Sequence, residues 1–66
     1  MLDTELKFYR ENKSKFKTLY NGQYIVIKGK RVIGIYNSHK EAYDETVASH
    51  EVGTFIIKQI SGEPKN

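Results

Sequence analysis

Gln23 to Tyr36, QYIVIKGKRVIGIY, is the stretch on which the reading of this chain turns. Two short runs rich in Ile, Val and Tyr, Gln23–Lys28 and Arg31–Tyr36, flank Gly29-Lys30. β-Branched and aromatic side chains fit a pleated surface. A two-residue loop with Gly in first place suits a type II′ turn, where that position takes φ > 0. The spacing predicts a hairpin in which Ile27 faces Val32, Val26 faces Ile33, Ile25 faces Gly34 and Tyr24 faces Ile35. One face then shows Ile25, Ile27, Val32, Gly34 and Tyr36, and the other Tyr24, Val26, Ile33 and Ile35. Both faces are apolar, whereas a half-solvated antiparallel ribbon alternates apolar with polar. The ribbon must be covered twice, by both helices or by one helix layer and a second subunit. Gly34 marks a place of close packing, with Tyr20 or a helix as its expected neighbour.

On the N-terminal side, Asp3 or Thr4 suits a helix cap. Leu2, Leu6, Tyr9, Phe16 and Tyr20 recur at steps of three, four and seven, one apolar stripe of a helix over roughly 4–19. Phe8 and Leu19 lie off that stripe. Asn21-Gly22 ends it. On the C-terminal side, Ser38 and Glu41 have the S-x-x-E spacing of a capping box, which satisfies free backbone donors at a helix start. The second helix is expected to run to about His50, with Ala42, Tyr43, Thr46, Val47 and His50 facing inward. Gly53 follows as a cap or hinge. Thr54–Ile60 reads as a third strand, with Phe55 and Ile57 on one side and Ile56 and Ile60 on the other. A strand–helix–strand crossover within one sheet leaves its strands parallel, so the expected fold is α+β, in the order αββαβ, with a three-stranded mixed sheet and two helices. Residues 1–60 form one domain in this reading, and 61–66 a loose polar tail.

A chain of 66 residues buries only about 60% of its unfolded surface, which makes a lone core marginal. Without Cys it has neither disulfide nor thiolate chemistry. Residues 1–20 carry charges throughout, with no apolar run long enough for a signal peptide or a membrane span, so a cytoplasmic protein that does not meet the membrane is expected. The net charge is +3. Residues 1–33 hold eight basic and three acidic residues, and residues 34–66 three basic and five acidic. A basic half attracts nucleic acid, an acidic protein, or the acidic half of a second copy.

The run Tyr20–Gly29, then Val32-Ile33-Gly34, then Ser38–Tyr43, then Gly53–Ile57 resembles small uncharacterised bacterial domains. Those share a G-x-Y-V-x-I-x-G hairpin, an S-x-E-E-A helix start and an F-x-I strand. The resemblance covers residues 20–60 and implies the αββαβ layout but no activity. A more distant likeness is to antitoxin-type domains, whose third meander strand before the helix is missing here.

No catalytic, cofactor or metal site is expected. His39 and His50 are eleven residues apart at the two ends of one helix, about 16 Å, too far for one ion. Asp44 and Glu45 diverge around the helix, and Glu41 and Glu45 share a polar face. No nucleophile elbow or phosphate-cradling loop occurs. The five tyrosines suit an interface, being amphipathic rings with a polar tip. The expected function is therefore a non-enzymatic protein-interaction module, homodimeric through the sheet face or edge. Tyr24, Val26, Ile33 and Ile35 are the contacts if both helices share the opposite face. The alternative is a small nucleic-acid-binding or antitoxin-like regulator. It would use Arg10, Lys13 and Lys17 on the first helix with Lys28, Lys30 and Arg31 at the hairpin tip, all suited to phosphate contact. No small-molecule ligand is expected in either reading.

Overall fold

The computed structural model describes residues 2–61, so the tail beyond Ser61 lies outside the described residues. Its elements are helices α1 (Asp3–Glu11) and α2 (Lys13–Tyr20), strands β1 (Tyr24–Lys28) and β2 (Arg31–Tyr36), helix α3 (His39–Val47), and strand β3 (Ile56–Gln59). The fold is α+β, with three helices and one antiparallel sheet of order β2-β1-β3.

The hairpin forms where its residues place it. Ile27 pairs with Val32 and Lys28 with Arg31, and Gly29 takes φ +67°, the left-handed backbone that its loop position requires. Beyond that the expected register fails. A bulge after Val26/Ile27 inserts Ile33 as an extra residue, so that Val26 pairs with Gly34, Ile25 with Ile35 and Tyr24 with Tyr36. A bulge of one residue reverses the facing of everything after it. Tyr36 therefore joins Tyr24, Val26 and Ile33 on one side, and Ile35 moves to the other. The close neighbour of Gly34 is neither Tyr20 nor a helix. A Cβ at Gly34 would stand 2.6 Å from Cε2 of Tyr36, whose ring lies across the bare backbone. This is an aromatic ring filling the space that a strand glycine leaves.

The mixed sheet is not formed. β3 runs antiparallel to β1, pairing Ile27 with Ile56 and Tyr24 with Gln59. The crossover through α3 does bring β3 into the same direction as β2, but it passes over β1 and docks on the far edge. Burial gives the reason. Ile25, Val26 and Ile27 are all fully buried, so β1 must have its backbone groups paired on both edges. A parallel neighbour beside β2 would have left this most apolar strand at the rim.

Each face of the sheet has its own helical cover. Ile25, Ile27 and Ile60 pack on Phe16, with Phe8, Tyr9 and Tyr20 around them, under α1 and α2. Val26 and Phe55 pack on Ala42 of α3, with Tyr24, Ile33, Tyr36, Val47 and Ile57 around them. The facing expected for β3 holds, with Phe55 and Ile57 toward α3, and Ile56 and Ile60 toward α1 and α2.

The expected single first helix is two. Asn12 breaks it with φ −116° and ψ 15°. Its backbone N–H is shared between the carbonyls of Phe8 and Tyr9, and its side-chain Nδ2 donates to Phe8 O at 2.9 Å. The break turns the inward stripe. Phe8 enters the core, while Leu6, expected inside, is 37% exposed. At α3 the capping box is made with an offset. Ser38 Oγ accepts from the N–H of Glu41, but Glu41 Oε1 accepts from Asn37 rather than from Ser38. The helix stops at Val47, and His50 follows it with its N–H on Thr46 O.

Candidate functional site

The four residues expected at a sheet-face interface do not share a surface. That expectation rested on both helices lying on one side, and they lie on opposite sides. Val26 is fully buried under α3, and Tyr24 and Ile33 are half-buried beside it. The Tyr24 ring meets the His39 ring edge-on at 6.2 Å. Ile35 alone stands out at 43% exposure, although its partner across the ladder, Ile25, is fully buried. Ile35 belongs to an outer strand whose far side pairs with no other strand among the described residues.

The six basic residues are also separated. Lys13 and Lys17 line a cleft of about 210 Å³ with Tyr9, Gln59 and Ile60. Beside it, the Lys58 ammonium stands 4.8 Å above the Tyr9 ring, a cation–π contact that occupies that ring face. Lys30 lines a second cleft, of about 350 Å³, with Thr4, Lys7, Phe8 and Glu11 against α1. Lys28 and Arg31 open into a third, of about 500 Å³, with Ile33 and His50 on the α3 side of the hairpin. Arg10 is exposed and lines none of the three. The hairpin tip thus sends its cations in two directions, because Lys28 and Arg31 are opposite each other in the ladder and Lys30 is in the loop.

The third cleft gathers groups far apart in sequence. Lys28 Nζ lies 3.1 Å from Nδ1 of His50. A lysine ammonium has only donors, so Nδ1 accepts and the imidazole carries its proton on Nε2. Like charges directly opposite in a ladder repel, yet Lys28 faces Arg31. Among the described residues the one ion pair is Lys40–Asp44, at 2.7 Å on the exposed face of α3. Neither Lys28 nor Arg31 has a carboxylate within ion-pair reach there.

One residue escaped the sequence reading altogether. Glu5, one of the three acidic residues counted in 1–33, is 8% exposed. Its Oε2 accepts the N–H of Gly29 at 2.7 Å, which clasps α1 to the hairpin tip. Its Oε1 is buried and accepts no hydrogen bond among the described residues. The Gly29 N–H, then Glu5's own backbone N–H, hold this carboxyl below its usual value of 4.5 against the opposing effect of burial. The sequence carried one hint, that Glu5, Phe8, Asn12 and Phe16 also follow a helical stripe. A carboxylate whose partner is a backbone group 24 residues away leaves no pattern of its own.

Of the other acidic residues singled out, Glu41 has a local partner at the cap and Asp44 has Lys40, and Glu45 is exposed on α3. The described residues bring together no three side chains able to hold a metal ion, and no helix among them is long and apolar enough to cross a membrane. Compared with protein-family models, with curated proteins and with solved structures, the chain matches none.

Proposed function

We propose that this chain is a non-enzymatic interaction module that joins a second copy of itself through the outer edge of β2. The observation that carries the reading is the exposure of Ile35 on a six-residue outer strand, beside a β1 that is fully buried at Ile25, Val26 and Ile27. With a helical layer on each face, the sheet's two edges are the places where its own backbone meets a partner. An open edge presents unpaired N–H and C=O groups that accept another strand. β3 is the poorer candidate. It has four residues, and Lys58 and Gln59 close its end, the kind of short, charged strand that blunts an edge.

The composition of β2 favours a copy over an unrelated chain. The bulge at Ile33 twists the hairpin half of the edge, and Gly34 to Tyr36 remain in regular register. A two-fold antiparallel pairing centred on Ile35 sets that side chain against its own copy. It sets each Gly34 opposite the Tyr36 position of the other chain. It also keeps Arg31, the one charged residue of β2, well away from its duplicate. Leu19, 56% exposed, stands about 160° around α2 from Lys17 at about 100° per residue, away from the cleft that Lys17 shares with β3.

Sedimentation equilibrium over a wide concentration range tests this, with the Ile35→Lys variant alongside. The wild type is expected to show a concentration-dependent dimer. The variant, which would set two ammonium groups against each other, is expected to be a monomer with an unchanged circular dichroism spectrum. A wild type that stays monomeric at the highest concentration, or a variant that dimerises equally well, contradicts the proposal.

A further inference from the structure

We infer that Lys28, Arg31 and His50 form a receptor for a small phosphomonoester, with Ile33 as its apolar floor. The three groups come from β1, β2 and the segment after α3, and they line one concavity of about 500 Å³. Their convergence has a cost that the fold offsets only from a distance, through the attraction between Lys28 and the Glu5 carboxylate. Lys28 and Arg31 are direct partners across the ladder and share the α3 side. The group that reaches Lys28 is an imidazole, 3.1 Å away, and not a carboxylate. Because Nδ1 accepts from the ammonium, the Nε2–H of His50 remains a further donor. The carboxylate held at the hairpin tip, Glu5, is bound to the N–H of Gly29, and the ion-paired carboxylate, Asp44, is with Lys40.

A site with an ammonium, a guanidinium fork and an imidazole N–H, and no carboxylate among the described residues of its lining, selects a compact anion with several acceptor oxygens. Arg recognises such oxygens two at a time and Lys neutralises charge as a point. A terminal phosphate offers three oxygens and close to two negative charges near neutral pH, whereas a carboxylate offers two oxygens and one charge. Ile33 and the methylene stems of Lys28 and Arg31 give the attached organic body an apolar wall. The open mouth suits a small monoester, and the division of the other cations among separate clefts gives a long polyanion no continuous track. This departs from the sequence-based expectation that no small ligand binds, because nothing local in the sequence ties His50 to Lys28.

The test is a titration of the ¹⁵N-labelled chain, followed by amide shifts, with three probes: inorganic phosphate, phenyl phosphate and a short single-stranded RNA without a terminal phosphate. Sodium chloride at matched ionic strength is the control. Both monophosphates are expected to shift Lys28, Arg31, Ile33 and His50 saturably and together, phenyl phosphate more tightly. Arg31→Gln is expected to weaken both by about tenfold or more, the loss of a charge-assisted hydrogen bond. Arg31→Lys, which keeps the charge and loses the fork, is expected to fall between. Arg31 is exposed, so neither variant disturbs the core, and unchanged spectra elsewhere confirm that. Shifts scattered over all lysines, shifts matched by chloride, affinities indifferent to Arg31→Gln, or binding of the RNA but not of the monoesters would each overturn the assignment.

Discussion

Tyr36 lies over Gly34 with a ring carbon 2.6 Å from where a Cβ would stand, so a methyl group there must push the ring away. Gly34→Ala is expected to destabilise by about 1 kcal/mol, at the lower end of overpacking costs, because the ring and not the backbone gives way. With Tyr36→Ala in place, the same substitution is expected to stabilise, since Ala is favoured over Gly in a strand by about 0.5–1 kcal/mol. Urea melts of the four proteins in the cycle check the change of sign. At Glu5 the prediction concerns pH. Its folded carboxyl sits below 4.5 because Gly29 donates to the charged form. A depressed value means that the ionised form stabilises the fold above the unfolded value, and that this contribution fades as pH falls through the folded one. The stability advantage of wild type over Glu5→Gln is thus expected to be full near neutrality and to shrink below about pH 4.5. Chemical denaturation across the acid range measures it, and a gap that widened on acidification would be evidence against the clasp.

The elements were legible where their signals are local. Gly29 set the loop, Ser38 with Glu41 set the start of α3, and alternation set the faces of β3, because each depends on residues within one turn or one strand. The bulge at Ile33 was not legible. Both candidate faces of β2 are apolar, so a slip of one residue moves Ile35 and Tyr36 between two equally greasy sides, and pattern cannot choose. The break at Asn12 hid for a similar reason, since Phe8 and Leu6 both suit a core. The antiparallel docking of β3 depends on which edge of β1 remained free, a property of the whole sheet. At this scale, Ser38→Ala is expected to cost about 1 kcal/mol through loss of the N-cap. It should leave the β1–β2 amides unprotected no sooner than those of α3 in hydrogen exchange.

For the molecule as a whole, a core split in two by a central strand leaves little margin. Phe16 anchors one half almost alone among helix residues, at 3% exposure with the Phe8, Tyr9 and Tyr20 rings within 6.3 Å. Truncating such a residue costs about 3–5 kcal/mol, against a stability of roughly 3–10 kcal/mol for a domain of this size. Phe16→Ala is therefore expected to be largely unfolded by circular dichroism. Of the proposed surfaces, the sequence marked Ile35 but assigned it to a face. It marked Lys28 and Arg31 but placed them with Lys30, and it put His50 at a helix end on that helix's inward stripe. The reasons are not local: the bulge decides the side that Ile35 occupies, and the packing of α3 on the sheet brings His50 to Lys28. The most direct measurement is residue-resolved amide hydrogen exchange of β2 at low and high protein concentration. If two copies join along this strand, the amides of Gly34 to Tyr36 that do not bond β1 gain protection as concentration rises, while those of β3 stay the same. Exchange in β2 that is independent of concentration would contradict the edge as the meeting place.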